Sequence, residues 1–488
     1  MGSAERINEL EAENAALRAR VAELNEQVEV LTQQLGVLVG KVADLEKLVG
    51  RNSSNSSKPP SSDSGADKSK RPENMSRAER RRLGRRQGKQ PGTPGTTLRQ
   101  VADPTDTKVW RPEECRGCGG SLDDAIVVGV SKRQVFDVPE PAQVVVEHQA
   151  LRVRCGCGCE TGGVFPAGVT APACYGPSIK AHALYLLCAQ HLPRERCAQA
   201  LTDLFGVPVS TGTLDNWIRE AAEALVTFLV VVRARLAASP VVHVDETSVR
   251  SGKAALWVHV CSTAVLTFLH VGRRNKTTME AGPLGDYTGT VVHDRLVHYF
   301  SYGTGHVLCN AHILRSLNAI TSNRRHHDWA TGFIALIVDT KRRVDEAEAV
   351  GKTSLSGYRR RQIRRQWDRL CDQAESLTRP PPGGLKQYGT DNDARLVAVA
   401  LREHRDRYLS YTGDFSLPFD NNLAERDLRM IKLQAKISGE FRSPTGAQRF
   451  VDVRSYISTN RKQGQNIHQH LKDLFTPTGA WLPGPTPC

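Results

Sequence analysis

The stretch from Asp420 to Ser443, D-N-N-L-A-E-R-D-L-R-M-I-K-L-Q-A-K-I-S-G-E-F-R-S, joins a carboxylate to a row of cations. Pro418 keeps the chain extended before it, and Asp420, Asn421 and Asn422 offer helix-capping side chains. The residues that follow read as a helix stopped by Gly439, with Leu423, Leu428, Ile431 and Ala435 on one apolar side. Glu425 falls three residues after Asn422, the spacing of a capping box. Arg426, Arg429, Lys432 and Lys436 recur on the same helix at three- and four-residue steps and share a face. A carboxylate at a helix start, beside a basic stripe, suits a metal ion held where a polyanion such as DNA can reach it.

Two other acids sit where strands would deliver them. Val241-Val242-His243-Val244-Asp245-Glu246-Thr247 is a short buried-strand pattern, and Gly289-Thr290-Val291-Val292-His293-Asp294 is another with its acid at the carboxyl end. Ala255–Val260 and Val265–Leu269 read as two further strands of a meander, and a helix is expected around Thr277–Leu284. A mixed sheet of three antiparallel strands plus parallel ones, helices on both faces, is the ribonuclease-H-like architecture, in which two strand acids and one late helix acid converge. Asp286 rivals Asp294 but stands in a Gly-rich turn before the strand. Cys309-Asn-Ala-His312 has the spacing of half a zinc site, and no second half is evident.

These runs closely resemble the bacterial DDE transposases of the insertion sequence 66 family. The likeness rests on N-N-L-A-E-R-D-L-R and continues through Lys436, Ser438, Gly439, Phe441, Arg442, Ser443, Arg454-Ser455-Tyr456 and Arg461-Lys462. It includes the D-E-T at Asp245, the V-x-D ending at Asp294, and the P-R-E-R, F-G and S-T-G-T-L elements between residues 193 and 214. The resemblance implies a metal-binding triad of Asp245, Asp294 and Glu425, supported by His312, Asn421 and Asn422. It implies an enzyme that binds double-stranded DNA at an element's terminal inverted repeats, cuts it and joins it to target DNA. Small accessory proteins of the same element are implied partners.

Such chemistry needs an activated oxygen in line with a leaving 3′ oxygen. Two Mg2+ or Mn2+ ions on oxygen-rich ligands would stabilise both, Asp245 bridging them, with water or a DNA 3′-OH as nucleophile. A DNA-binding regulator, or a nuclease of the same fold that does not join ends, are the competing classes.

The elements that must position this site are read from the rest of the chain. Its 488 residues carry a net charge of +14, most of it in residues 68–99, where eleven Lys or Arg face only Glu73 and Glu79. That excess favours an acidic partner. Residues 1–50 form a coiled coil: Ile7, Asn14, Val21, Val28, Leu35, Val42 and Val49 fill one heptad position and Leu10, Leu17, Leu24, Leu31, Leu38 and Leu45 the other. That pattern predicts a parallel homodimer through residues 4–49. Residues 51–100 are a linker that cannot bury a core, with Arg80, Arg81, Arg82, Arg85 and Arg86 placed to track phosphates.

Residues 101–170 read as a small β-rich zinc-binding domain. Cys115 and Cys118 supply one half and two of Cys155, Cys157 and Cys159 the other, with His148 a weaker ligand. Strands are expected at Arg133–Val138 and Gln143–Val153. Residues 171–239 are helical, at Ser178–Gln190, Glu195–Phe205 and a helix capped at Ser210 or Thr211, as either a helix-turn-helix or a plain bundle. Residues 240–470 form the α/β catalytic domain, with a helical insertion at 314–415, and 471–488 a tail. Twelve cysteines in such a chain point to metal or buried thiols before disulfides. No leader and no apolar run of membrane length are visible, so a cytoplasmic protein without a membrane partner is expected, and the resemblance implies a bacterial one.

Overall fold

A computed structural model describes residues 98–484 apart from 142, 253 and 379–388, together with residues 20, 21, 23–29 and 34. Residues 20, 21, 23–29 and 34 are helical, and Val21 and Leu24, one from each heptad row, are exposed. The rest of the coiled coil, and the linker with Arg80, Arg81, Arg82, Arg85 and Arg86, lie outside the described residues.

Gly65–Val144 is one compact unit. In it Cys115 to Gly120 makes a tight turn: Cys115 N–H donates to the Gly120 carbonyl at 2.8 Å and Gly119 N–H to that of Cys115 at 2.9 Å. Gly119 takes the left-handed φ of 75° that closes it. The strand expected at Arg133–Val138 does not form; Val135 and Val138 are exposed, so the alternating pattern has no layer to bury against. Val145–Cys488 belongs to the other unit. There the expected strand at Gln143–Val153 shrinks to β1, Arg152–Arg154, which pairs antiparallel with β2, Glu160–Gly162. Val144, Val145 and Val146 ahead of it are exposed, again without a covering layer.

Four helices follow: α1 (Pro177–Leu184), α2 (Arg194–Phe205), α3 (Thr211–Ala224) and α4 (Val226–Ala237). A π-helical turn, Tyr185–Ala189, extends α1. Gly206, at φ 66°, ends α2, and the Ser210 side chain caps α3 by accepting from Thr213 N–H at 3.1 Å. The helix, glycine turn and capped helix are therefore formed. Leu214, Trp217 and Ile218 of α3 enter one apolar core with the sheet that follows, so packing is continuous across residue 240.

That sheet is built from β3 (Val241–Ser251), β4 (Ala254–Ser262), β5 (Thr267–Gly272), β6 (Thr290–His293) and β7 (Gly305–Leu308), in the order β5-β4-β3-β6-β7. The first three strands are antiparallel; β6 runs parallel to β3 and β7 parallel to β6. This is the expected mixed meander. β7, with Gly305 and His306 in its four residues, has too little apolar pattern to be read as a strand. A short α5 (Lys276–Ala281) links β5 to β6. After β7 come α6 (Asn310–Ile320), α7 (His327–Ala349), α8 (Gly357–Thr378), α9 (Gly389–Glu403) and α10 (Arg405–Tyr408), whose own core holds Trp329, Phe333 and Trp367.

The chain returns to the sheet through α11 (Asn422–Ser438), α12 (Pro444–Lys462) and α13 (Ile467–Asp473). Helix α11 packs on β3 and β4, and α12 on β5. The inward side of α11 is Ala424, Asp427, Leu428, Ile431 and Gln434; Leu423 is only half-buried and Ala435 is exposed. The expected apolar side is thus rotated: Asp427 and Gln434 lie on the inner face, and Asp427 finds partners there. Asp427 accepts from Lys462 Nζ at 2.8 Å and from Thr267 Oγ1 at 3.0 Å, and Lys462 also donates to the carbonyls of Thr263 and Leu266.

Removing one member of this pair strands the other charge. Asp427→Leu should cost about 3–5 kcal/mol in urea unfolding, and Asp427→Leu with Lys462→Met should recover most of it.

Candidate active site

The register of the sheet puts the two strand acids side by side. His243 of β3 lies opposite Val292 of β6 in a parallel pair. Two residues further on, and on the same face, stand Asp245 and Asp294. Asp294 follows the last residue of β6, and its Oδ1 accepts from Leu296 N–H at 2.9 Å. That turn forces Arg295 into the left-handed region, at φ 83°. Asp286 is exposed in the preceding turn, and the carboxylates acting on Asp245 are those of Asp294, Glu246 and Glu425.

Glu425 arrives on α11, and Asn421 aims it. The Asn421 amide is fully buried; it donates to the Val244 carbonyl at 2.8 Å and its oxygen faces His243 Nδ1 at 3.0 Å. Its backbone N–H donates to Cys309 Sγ at 3.1 Å. Asn421 therefore ties the start of α11 to β3 and to the end of β7 and makes no side-chain cap. Asp420 does the local work, accepting from Asn422 N–H at 2.9 Å and from its side-chain amide at 2.7 Å. One turn on, Glu425 makes no capping box. Its two oxygens each lie 3.2 Å from one nitrogen of Arg315, with His312 Nδ1 at 3.5 Å and Arg429 at 4.0 Å. Arg426, Arg429, Lys432 and Lys436 lie exposed along the outside of the helix.

Burial pushes the Asp245 carboxyl up to about 8, and the neighbouring Asp294 carboxylate adds to it. Burial also raises Glu246, against the pull of its partners. Tyr299 O–H donates to one Glu246 oxygen, and Arg274 holds the other at 2.7 Å while stacking on Trp257. His312 is held below its usual range, chiefly by burial, against the pull of Glu425. Cys309, His312 and Glu425 bring one ligand atom each within 4.8 Å of one another; the three acids form no such set among the described residues.

In each Cys-rich turn one thiol is held below its usual range. Backbone N–H groups of Cys118 and Gly117 lower Cys115, and that of Cys159, with the thiols of Cys155 and Cys159, lowers Cys157. Cys155, Cys157 and Cys159 sit on the loop joining β1 to β2, and His148 is exposed.

A sequence model of the transposase IS66 family matches residues 172–449, more than half of the chain. The chain belongs to the transposase IS66 family. A transposase role and DNA as its partner follow, and divalent metal use is implied. The match covers the helices from α1, the whole five-stranded sheet, the insertion and α11 with its acid and basic stripe. Residues 2–99 match a family of unknown function (DUF6444). No curated protein matches the chain. No helix among the described residues is long and apolar enough to cross a membrane.

Sequence reasoning named the three acids and Asn421 but gave Glu246, Arg274, Tyr299 and Arg315 no role. Only Arg315 had a usable signal, three residues after His312 and so on its face of α6.

The raised Asp245 carboxyl has a stability consequence. The folded state keeps a proton that the unfolded chain releases near pH 4, so stability falls as pH rises from about 4 to about 8. Asp245→Asn should flatten that slope and raise the melting temperature of metal-free protein at pH 8 by several degrees, read by calorimetry across pH 5–9.

Proposed function

We propose that the chain cuts the ends of its insertion sequence and joins them to target DNA, a DDE-type polynucleotidyl transfer on a ribonuclease-H-like sheet. Asp245, Asp294 and Glu425 would hold two Mg2+ or Mn2+ ions. The supporting observation is the parallel β3–β6 register that levels Asp245 with Asp294, joined by the fields of Asp294 and Glu425 at Asp245. The donor set fits: hard carboxylate oxygens suit these ions, and a carboxyl raised chiefly by burial, with Asp294, Glu246 and Glu425 adding to it, is one that a cation would relieve. Bound there, the ions would supply charge stabilisation for the attacking and leaving oxygens.

The chain's own residues do the rest. Asp245, on which the fields of both other acids fall, would hold an ion with each of them. Arg315 and Arg429, beside Glu425, can take a scissile phosphate's negative charge. Arg426, Lys432 and Lys436 continue that path for the DNA backbone. Glu246, fixed by Arg274 and Tyr299, stiffens β3 beside Asp245. Asn421 seats the start of α11 on β3, Asp420 and Asn422 close its first turn, and Arg315 faces Glu425. No side-chain nucleophile is needed, since water attacks in cleavage and a DNA 3′-OH in joining. In the same reading residues 4–49 dimerise in parallel, the basic linker tracks phosphates, and the α2–α3 helix-turn-helix contributes to end binding. Cys115 and Cys118 with two of Cys155, Cys157 and Cys159 bind one structural zinc, which metal analysis of reduced protein should return at about one per chain.

Asp245→Asn, Asp294→Asn and Glu425→Gln should each lower end cleavage and joining by several orders of magnitude while gel shifts on the same DNA persist. Asp286→Asn is the control. Activity retained in Asp294→Asn and lost in Asp286→Asn would reassign the second acid. Cleavage without joined product on a supplied target would make the protein a nuclease, and no metal-dependent cleavage would make it a regulator.

A further inference from the structure

Cys309 and His312 looked like half of a metal site without a second half. The fold brings a carboxylate to them. Cys309 ends the run after β7, His312 lies in the first turn of α6, and Glu425 lies in the first turn of α11. One ligand atom from each lies within 4.8 Å of the others. His312 Nδ1 is shut away from solvent, has no hydrogen-bond partner, and stands 3.5 Å from Glu425 Oε1. That separation is too long for a sound hydrogen bond. A buried polar atom without a partner costs free energy, and a ligand seat accounts for one. Cys309 Sγ is already engaged, accepting the Asn421 N–H at 3.1 Å. Glu425 faces only one Arg315 nitrogen with its two oxygens, and a carboxylate has about four lone-pair sites, so it can still take an ion.

We infer that His312 Nδ1 ligates the same divalent ion as Glu425, making that position a mixed nitrogen–oxygen site that selects Mn2+ over Mg2+. The inference rests on the reading of Glu425 as an ion ligand and adds the ion's identity. Mg2+ favours oxygen ligands and water in near-ideal octahedra, whereas imidazole favours the transition series. His312 thereby becomes a ligand rather than a prop for Glu425.

The test is binding, not turnover. Mn2+ and Mg2+ are titrated calorimetrically into the full chain with its zinc retained, and the Mn2+-loaded protein is examined by electron spin-echo modulation. Wild type should show modulation from a directly bound 14N, absent in Glu425→Gln and in His312→Gln. His312→Gln should lower the Mn2+ affinity relative to Mg2+ at least roughly tenfold. Mn2+ that binds in a Glu425-dependent way with no nitrogen modulation, or an unchanged Mn2+/Mg2+ ratio in His312→Gln, overturns the inference and leaves the triad standing. No Mn2+ binding, or binding indifferent to Glu425→Gln, overturns both. If His312→Gln fails to fold, the wild-type spectrum compared with that of 15N-histidine-labelled protein decides alone.

Discussion

One buried amide fixes the geometry of the whole site. Asn421 spends its side chain on the Val244 carbonyl and His243, and its backbone N–H on Cys309. Those three contacts join elements nearly two hundred residues apart in sequence: the central strand β3, the loop leaving β7 and the start of α11. Carboxylates repel at short range, so three of them meet only if a scaffold forces them together. The parallel β3–β6 pair forces two, and the Asn421 tie forces the third. Burial raises the Asp245 carboxyl, and the crowding of Asp294, Glu246 and Glu425 adds to it.

The same tie explains the long insertion between β7 and α11. Helices α6 to α10 close a core around Trp329, Phe333 and Trp367 that also takes in Leu308 of β7, which anchors the insertion to the edge of the sheet. Asn310, at the start of α6, donates to the carbonyls of Tyr408 and Phe419, which clamps the two ends of the insertion together. The insertion also delivers His312 and Arg315 to Glu425.

What could be read from the sequence was local. Val-Val-His-Val-Asp and Val-Val-His-Asp announce strands, one carrying its acid within it and one leading to its acid, and the Ser210 cap and the Gly206 and Gly439 stops lie where local rules put them. What could not be read depended on distant partners. Asn421 looked like a cap because its receiving carbonyl is on another element. Asp427 does not read as part of the inner side of α11 because Lys462 and Thr267 become its neighbours only in the fold. The alternating residues at 133–138 looked like a strand, yet alternation stabilises one only when a layer covers its apolar face, and Val135 has none.

The central claim is that Asp245, Asp294 and Glu425 are ligands of catalytic divalent cations. Crystals of the protein soaked in Mn2+ and recorded at the manganese edge test it directly. The account predicts anomalous peaks within bonding distance of Asp245, one shared with Asp294 and one with Glu425. Peaks that avoid all three acids, with Glu425 still held by Arg315, would contradict it.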